Sequence, residues 1–414
     1  MYQALPRIAV FGAGSIGGYL GGRLAPVADV TLIGRAKAMA VVQDDGVSVS
    51  GGTLPPRYVP ASALRTATGP DAAAGADIVL ITVKSADTAT AARDLAPHLG
   101  ERTVVCSLQN GLHNADLLRA ELPEHTVLAG MVPYNVVQTR PGHFHQGSEG
   151  ALMLDDTPAA RPLIAVLTEA GLAVQPHTDM RGVQHGKLLM NLNNALNALS
   201  GLPLRTQLEQ RAFRACLALC QREALAAFRA EGVEPARLTP IPPALIPRLL
   251  RFPDGVFRRV ARRILAVDPH ARSSTWEDLQ RGRVTEIDVL QGEVVTMSAR
   301  HSLPAPASAR VVELVKRAER TPPDRRGTWT GPELLADLRE AAATPAGTAG
   351  TGSEPGRRVA LRAQHRAAED HLHRRGRRAE SRAAPDPAQA EPHRCGRAGF
   401  RRRAGGGTGG GPVV

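Results

Sequence analysis

Apolar and polar positions change rhythm once along the chain. Up to about residue 178, short and nearly unbroken apolar runs recur at 8–11, 30–33, 76–83, 103–108 and 127–132. Such runs suit strands covered on both faces, and the longer stretches between them predict crossover helices, hence a parallel α/β sheet. His143, Phe144 and His145 alternate as in an edge strand, and with 151–154 and 172–174 they predict a small antiparallel finish. From Asp179 onward the period is helical. Residues 184–199 set Leu188, Leu192, Ala195 and Leu199 on one helix face, and Lys187, Asn191 and Asn194 on another. Gly201 and Pro203 stop that helix. Residues 205–230 read as one long amphipathic helix, and 234–267 as Pro-rich loop with short helices that pack, meet a dimer partner or cover a substrate. Ser273 and Ser274 are placed to start a helix or bind a carboxylate. Glu286 precedes a helix with Ile287, Leu290 and Val294 inward; 309–320 and 332–341 close the folded part.

The first run ends in Gly12, Gly14 and Gly17, spaced G-x-G-x-x-G with Ser15 and Ile16 between. After a strand and before a helix, that spacing predicts a dinucleotide-binding turn. The first glycine permits the turn, the second lets backbone approach a pyrophosphate, and the third lets helix and sheet pack closely. Free amides and the positive end of the helix dipole then face the anion. Gly18, Gly21 and Gly22 extend a small-residue face, which makes sense only if the helix lies tightly against its neighbours. The second run ends at Gly34 and Arg35, with Lys37 close by. No carboxylate stands there to take ribose hydroxyls, so Arg35 and Lys37 favour the extra phosphate of NADP over NAD. The next three runs deliver Lys84 and Ser85, then Gln109, Asn110 and Gly111, then Pro133, Tyr134 and Asn135 to the ligand-binding edge of the sheet.

Composition sharpens this picture in three places. Of the +12 net charge, +8 falls in residues 341–414, where 14 arginines face 6 carboxylates among Ala, Gly and Pro. That segment cannot bury a core. It reads as a disordered basic tail, or as the product of a shifted reading frame, rather than as a specific nucleic-acid module. Only four lysines occur among 51 basic residues: Lys37, Lys84, Lys187 and Lys316. A lysine kept in so arginine-rich a chain asks for a task arginine performs badly, such as giving up a proton. All seven asparagines lie between Asn110 and Asn197. Cys106, Cys216, Cys220 and Cys395 follow no metal-ligand spacing, and His143 with His145 lacks a third ligand, so free thiols and no metal are expected. No run is long enough to span a bilayer and no leader is evident, which predicts a cytoplasmic protein, monomer or homodimer.

The fold class predicted is therefore an α/β Rossmann-type N-terminal domain (1–178), an all-helical C-terminal domain (179–340) and a tail (341–414). Taken together, GAGSIG, TVKS, LQNG, GKLLMNLNNALNAL, SSTWEDLQRGRVTEIDVLQGEVV and ARHSLPAP resemble the ketopantoate reductase (2-dehydropantoate 2-reductase) family over residues 7–320. The resemblance implies NADPH-dependent reduction of a small 2-keto acid to its 2-hydroxy acid, on the route to pantothenate and coenzyme A. It also implies roles: Gly12, Gly14, Ser15, Ile16 and Gly17 at the pyrophosphate, Arg35 at the NADP phosphate, and Lys84 along the cofactor cleft. Asn110 falls where nicotinamide and substrate meet, Lys187 on the catalytic lysine, and Asn191, Asn194 and Ser274 on substrate-binding positions. Glu286 falls on the acidic partner that would keep Lys187 placed and charged. One departure stands out. Eight residues after the lysine the family often has asparagine; here it is Ala195, with Asn194 one position earlier, about 100° round the helix. A dehydrogenase for another 2-keto or 2-hydroxy acid, or a nucleotide sensor without turnover, are the competing expectations.

Overall fold

The computed structural model describes residues 4–260 and 271–343. The basic tail and Cys395 lie outside the described residues, as do 261–267 of the Pro-rich segment. Twelve strands precede Met180 in the chain. They are β1 (Arg7–Phe11), β2 (Asp29–Ile33), β3 (Val47–Gly51), β4 (Arg57–Val59), β5 (Arg65–Ala67) and β6 (Ile78–Ile81). After these come β7 (Val104–Ser107), β8 (Thr126–Met131), β9 (Val136–Arg140), β10 (His143–Gln146), β11 (Leu152–Asp155) and β12 (Val174–His177). Eight form one sheet in the order β12-β11-β8-β7-β6-β1-β2-β5. Its central strands are parallel, so β1, β6, β7 and β8 all end at the same edge.

The helices α1 (Ser15–Leu24), α2 (Ala36–Asp45), α3 (Thr88–Leu95), α4 (Asn114–Glu121) and α5 (Arg161–Glu169) flank this sheet. The run at 76–83 is strand only to Ile81, because Thr82 turns its hydroxyl to the carbonyl of Gly12 (2.8 Å) and pins the glycine turn.

Two expectations about the end of the sheet region change. His143–His145 is not an edge strand: β10 lies inside a second sheet of order β4-β3-β10-β9, parallel to β3 and antiparallel to β9. The finish is mixed rather than antiparallel throughout: β11 is antiparallel to β8, but β12 runs parallel to β11. The second sheet explains the glycines of α1. A Cβ on Gly18 would strike the ring of Phe144, one on Gly22 the side chains of Val47 and Val49, and one on Gly21 Leu32 of the first sheet. The helix is thus gripped from both sides, as its small-residue face predicts.

Beyond β12 the fold is helical: α6 (Met180–Ser200), α7 (Leu204–Leu208), α8 (Arg211–Ala230), α9 (Ile246–Leu249) and α10 (Asp254–Val260). Then follow α11 (Ser274–Gln280), α12 (Ile287–Arg300), α13 (Pro306–Arg320) and α14 (Gly331–Ala343). Asp179 caps α6 by accepting from the Gly182 amide, and Gly201 ends it in the left-handed region at φ 64°. The long helix expected at 205–230 is broken into α7 and α8. At the break the guanidinium of Arg214, fully buried over the Phe257 ring, takes the Leu208 carbonyl and pairs with Asp254. Leu188, Leu192, Ala195 and Leu199 pack with Phe213, Cys216, Cys220, Ile287, Leu290 and Val294 in one core. Leu249, Leu250 and Phe257 join it, so this much of the Pro-rich segment serves packing. No helix among the described residues is long and apolar enough to cross a membrane.

Candidate active site

Where β7 and β8 end, the sheet edge meets α6 and the start of α11 around a cleft of about 260 Å³. Ile16 from the glycine turn, Asn110 after β7, Pro133 and Tyr134 after β8, Lys187, Asn191 and Asn194 from α6, and Ser274 from α11 all line it. The structure therefore brings together Ile16, Asn110, Lys187, Asn191, Asn194 and Ser274. Gly12, Gly14, Ser15, Gly17, Arg35, Lys84 and Glu286 are not among its lining residues.

Lys187 is half-buried and its ammonium donates to the carbonyl of Pro133 at 3.1 Å. Desolvation lowers its pKa to about 8, because a charge held against protein loses the water that stabilises it. One turn on, the Asn191 amide donates to Oδ1 of Asn110 (3.3 Å), and the Asn110 amide donates to Glu286 (3.3 Å). Glu286 also accepts from the amide and hydroxyl of Ser85. Its bonds therefore hold the loops after β6 and β7, whereas Lys187 is held by Pro133; the direct Glu286–Lys187 pairing that the resemblance implies is not made.

The serine ambiguity resolves by a division of labour. Ser273 caps α11, accepting from the Trp276 amide and donating to the Asn194 carbonyl. Ser274 keeps only a long contact of 3.5 Å from the Asn194 amide and lines the cleft. Asn194 reaches the cleft while Ala195 is buried in the helical core, so the one-residue departure moves the polar group round the helix without removing it.

Most of the remaining asparagines stitch the fold. Asn197 fixes the Ser273 amide and the Leu202 carbonyl, Asn193 pairs with Gln207, and Asn114 bridges Thr88, Ser85 and Asn110.

Three residues were not singled out from sequence. Arg272 lines the cleft, stacked on the Trp276 ring at 4.5 Å and bonded to the Gly201 carbonyl. In a chain this rich in arginine nothing local sets it apart. Asp278 binds Lys84 at 2.5 Å, tying the end of β6 to α11, while burial raises its carboxyl against the pull of that lysine. Glu277, beside it, is raised to about 7 by burial. Tyr134, expected at the sheet edge but given no role, has its hydroxyl buried in the cleft wall without a hydrogen-bond partner among the described residues.

The turn itself has the shape a dinucleotide needs. Gly12 has φ +100°, and a Cβ there would meet the Val83 amide at 2.6 Å; one on Gly17 would meet the Gly12 carbonyl at 2.6 Å. A Cβ on Gly14 would meet nothing closer than 3.9 Å, which leaves open space before the first turn of α1. Arg35 stands exposed at the N-cap of α2, just past β2.

Known proteins resemble this chain over both its sheet region and its helical region. The family model described as Ketopantoate reductase PanE/ApbA matches residues 8–158, and its C-terminal counterpart matches 179–319. A 2-dehydropantoate 2-reductase of Halobacterium salinarum is 29% identical over 322 residues, covering 76% of this chain and 99% of its own. The crystal structure of a PanE/ApbA family ketopantoate reductase from Ralstonia eutropha JMP134 superposes with TM-score 0.65 at 32% identity, over 76% of this chain and 98% of that one. A ternary structure of D-mandelate dehydrogenase with NADH and anilino(oxo)acetate has the same fold, with TM-score 0.64 and 19% identity over 76% and 98%. The chain belongs to the ketopantoate reductase family and is an oxidoreductase acting on CH–OH groups.

Proposed function

We propose that the protein reduces 2-dehydropantoate to (R)-pantoate with NADPH, and that Lys187 is the general acid. The observation that carries this reading is Lys187 itself: an ammonium with its pKa lowered to about 8, in a cleft that also exposes Ile16 of the glycine turn. Residues 12–17 would hold the pyrophosphate of NADPH, which when bound would supply the hydride for the new C–H bond. Lys187 stabilises the negative charge arriving on the ketone oxygen and gives that oxygen its proton. An arginine would stabilise the charge but hold its proton too tightly.

Asn191 and Asn110 fix the face of the carbonyl, Asn194 and Ser274 orient the hydroxyl, and Arg272 attracts the carboxylate. Glu286 acts one step removed, by fixing Asn110 and Ser85. Arg35 and Lys84 complete the cofactor site, Arg35 toward the 2′-phosphate. This division of roles supports a nucleotide domain of 1–178 and a catalytic helical domain of 179–340. The buried free thiols Cys106, Cys216 and Cys220 fit a reducing, cytoplasmic setting.

A second reading, an NADP-dependent dehydrogenase for another 2-keto acid, is favoured by the Ala195 departure and by the likeness in fold to D-mandelate dehydrogenase. NADPH and NADH oxidation with a panel of 2-keto acids separates the two. Highest kcat/KM for 2-dehydropantoate with NADPH supports the first reading. Preference for an aromatic 2-keto acid supports the second, and no oxidation with any acid defeats both.

A further inference from the structure

A second cavity, of about 290 Å³, opens on the far side of α8, lined by Arg222, Arg229, Arg248 and Arg251 over Leu225 and Pro247. All four arginines are exposed, and none of their side chains makes a hydrogen bond or ion pair with any described residue. Here four such arginines surround one cavity. In the cavity beside β1, Arg7 is paired with Asp77 and Arg65 with Asp29. The nearest carboxylate to Arg222, its neighbour Glu223, is already engaged by the amides of Ala307 and Ser308.

Four like charges held round one hollow repel each other and gain from an anion that bridges them. Guanidinium groups match phosphate oxygens in pairs, which a lone surface cation does not. Arg222 and Arg229, seven residues apart, project from one face of α8 about 10 Å apart along its axis. Four guanidinium groups round one hollow are more than a single phosphate can pair with bidentately, and suit a chain of two or three. The apolar floor adds contact for a carbon skeleton.

We propose that this arginine-lined hollow on α8 and α9 is a binding site for a small polyphosphorylated metabolite, separate from the reaction cleft. Gln221, the residue before Arg222 on α8, donates to the Leu189 carbonyl of α6 (3.0 Å), one of the contacts between these two packed helices.

The test is calorimetric titration of the full chain with sodium tripolyphosphate, repeated on Arg229→Gln/Arg248→Gln and on Arg222→Gln/Arg251→Gln. Expected are one saturable site per chain, at least tenfold weaker binding in either double variant, and NADPH affinity unchanged. The variants keep the basic tail and the cofactor turn. Unchanged tripolyphosphate binding in both of them would therefore assign the anion to those places and overturn the proposal. So would the absence of a saturable site in the wild type, or orthophosphate binding as tightly as tripolyphosphate. Matching thermal melts confirm that the variants are folded.

Discussion

Ile16 of the glycine turn and Lys187 of α6 line the same cleft, yet the two elements are built on opposite principles. The turn works by what its residues lack: at Gly12 and Gly17 a single methyl would collide with backbone, and at Gly14 it would intrude on open space. The helix α6 works by what its residues carry, an ammonium and amides presented from a nearly buried cylinder. Backbone shape holds a ligand that is the same in thousands of reactions; side chains address the bond that changes. Substitutions on the two sides should therefore fail differently.

The largest effect is expected at Lys187. Lys187→Ala should lower kcat/KM by on the order of a hundredfold or more while NADPH affinity, read by fluorescence titration, stays within about twofold. Loss of cofactor binding instead would erase the contrast.

On the other side, Gly17→Ala and Gly14→Ala should part company. The first forces the Gly12 carbonyl and Thr82 aside, and should cost about 1–3 kcal/mol of stability along with cofactor affinity. The second, with backbone already at φ −83°, should leave the thermal midpoint alone and weaken only NADPH binding. Equal melting losses in both would show that the space before α1 is not a ligand's.

A milder test is pH. Burial lowers the Lys187 pKa, so its proton is present below about 8 and lost above it; kcat/KM for reduction should fall as pH rises through that value. In Lys187→Arg, whatever activity remains should show no such fall.

The smallest effect belongs to the contact between the two sides. Asp278→Asn releases Lys84, and since that lysine is substantially exposed the cost should be only about two- to fivefold, in KM for NADPH rather than kcat.

Sequence legibility follows the same division. The turn could be read because its requirement is local: three glycines at fixed spacing after a strand. Lys187 and Asn191 could be read because they share a helix face and because lysine is scarce in this chain. What could not be read were pairings between segments far apart. Glu286 lies 176 residues from Asn110, and Asp278 lies 194 from Lys84. No periodicity encodes such partners. The second sheet escaped for the same reason, since β10 looks like an edge until β3, nearly a hundred residues earlier, is laid beside it. Asparagine clustering pointed to the region that lines the cleft, but not every member is free to face it, because Asn193, Asn197 and Asn114 bond to neighbouring segments of the fold.

Helix α1, wedged between Phe144 and Val49 on one flank and Leu32 on the other, has no slack in which to slide or roll. Nucleotide entry and exit must then be accommodated elsewhere, at the junction of the sheet edge with α11 and α12. There polar side-chain bonds, Lys84 to Asp278 and Asn110 and Ser85 to Glu286, lie beside the packing of Leu112 with Ile287 and Leu290. The gripped helix thus fixes where the glycine turn sits, and any adjustment has to come from the segments that face it.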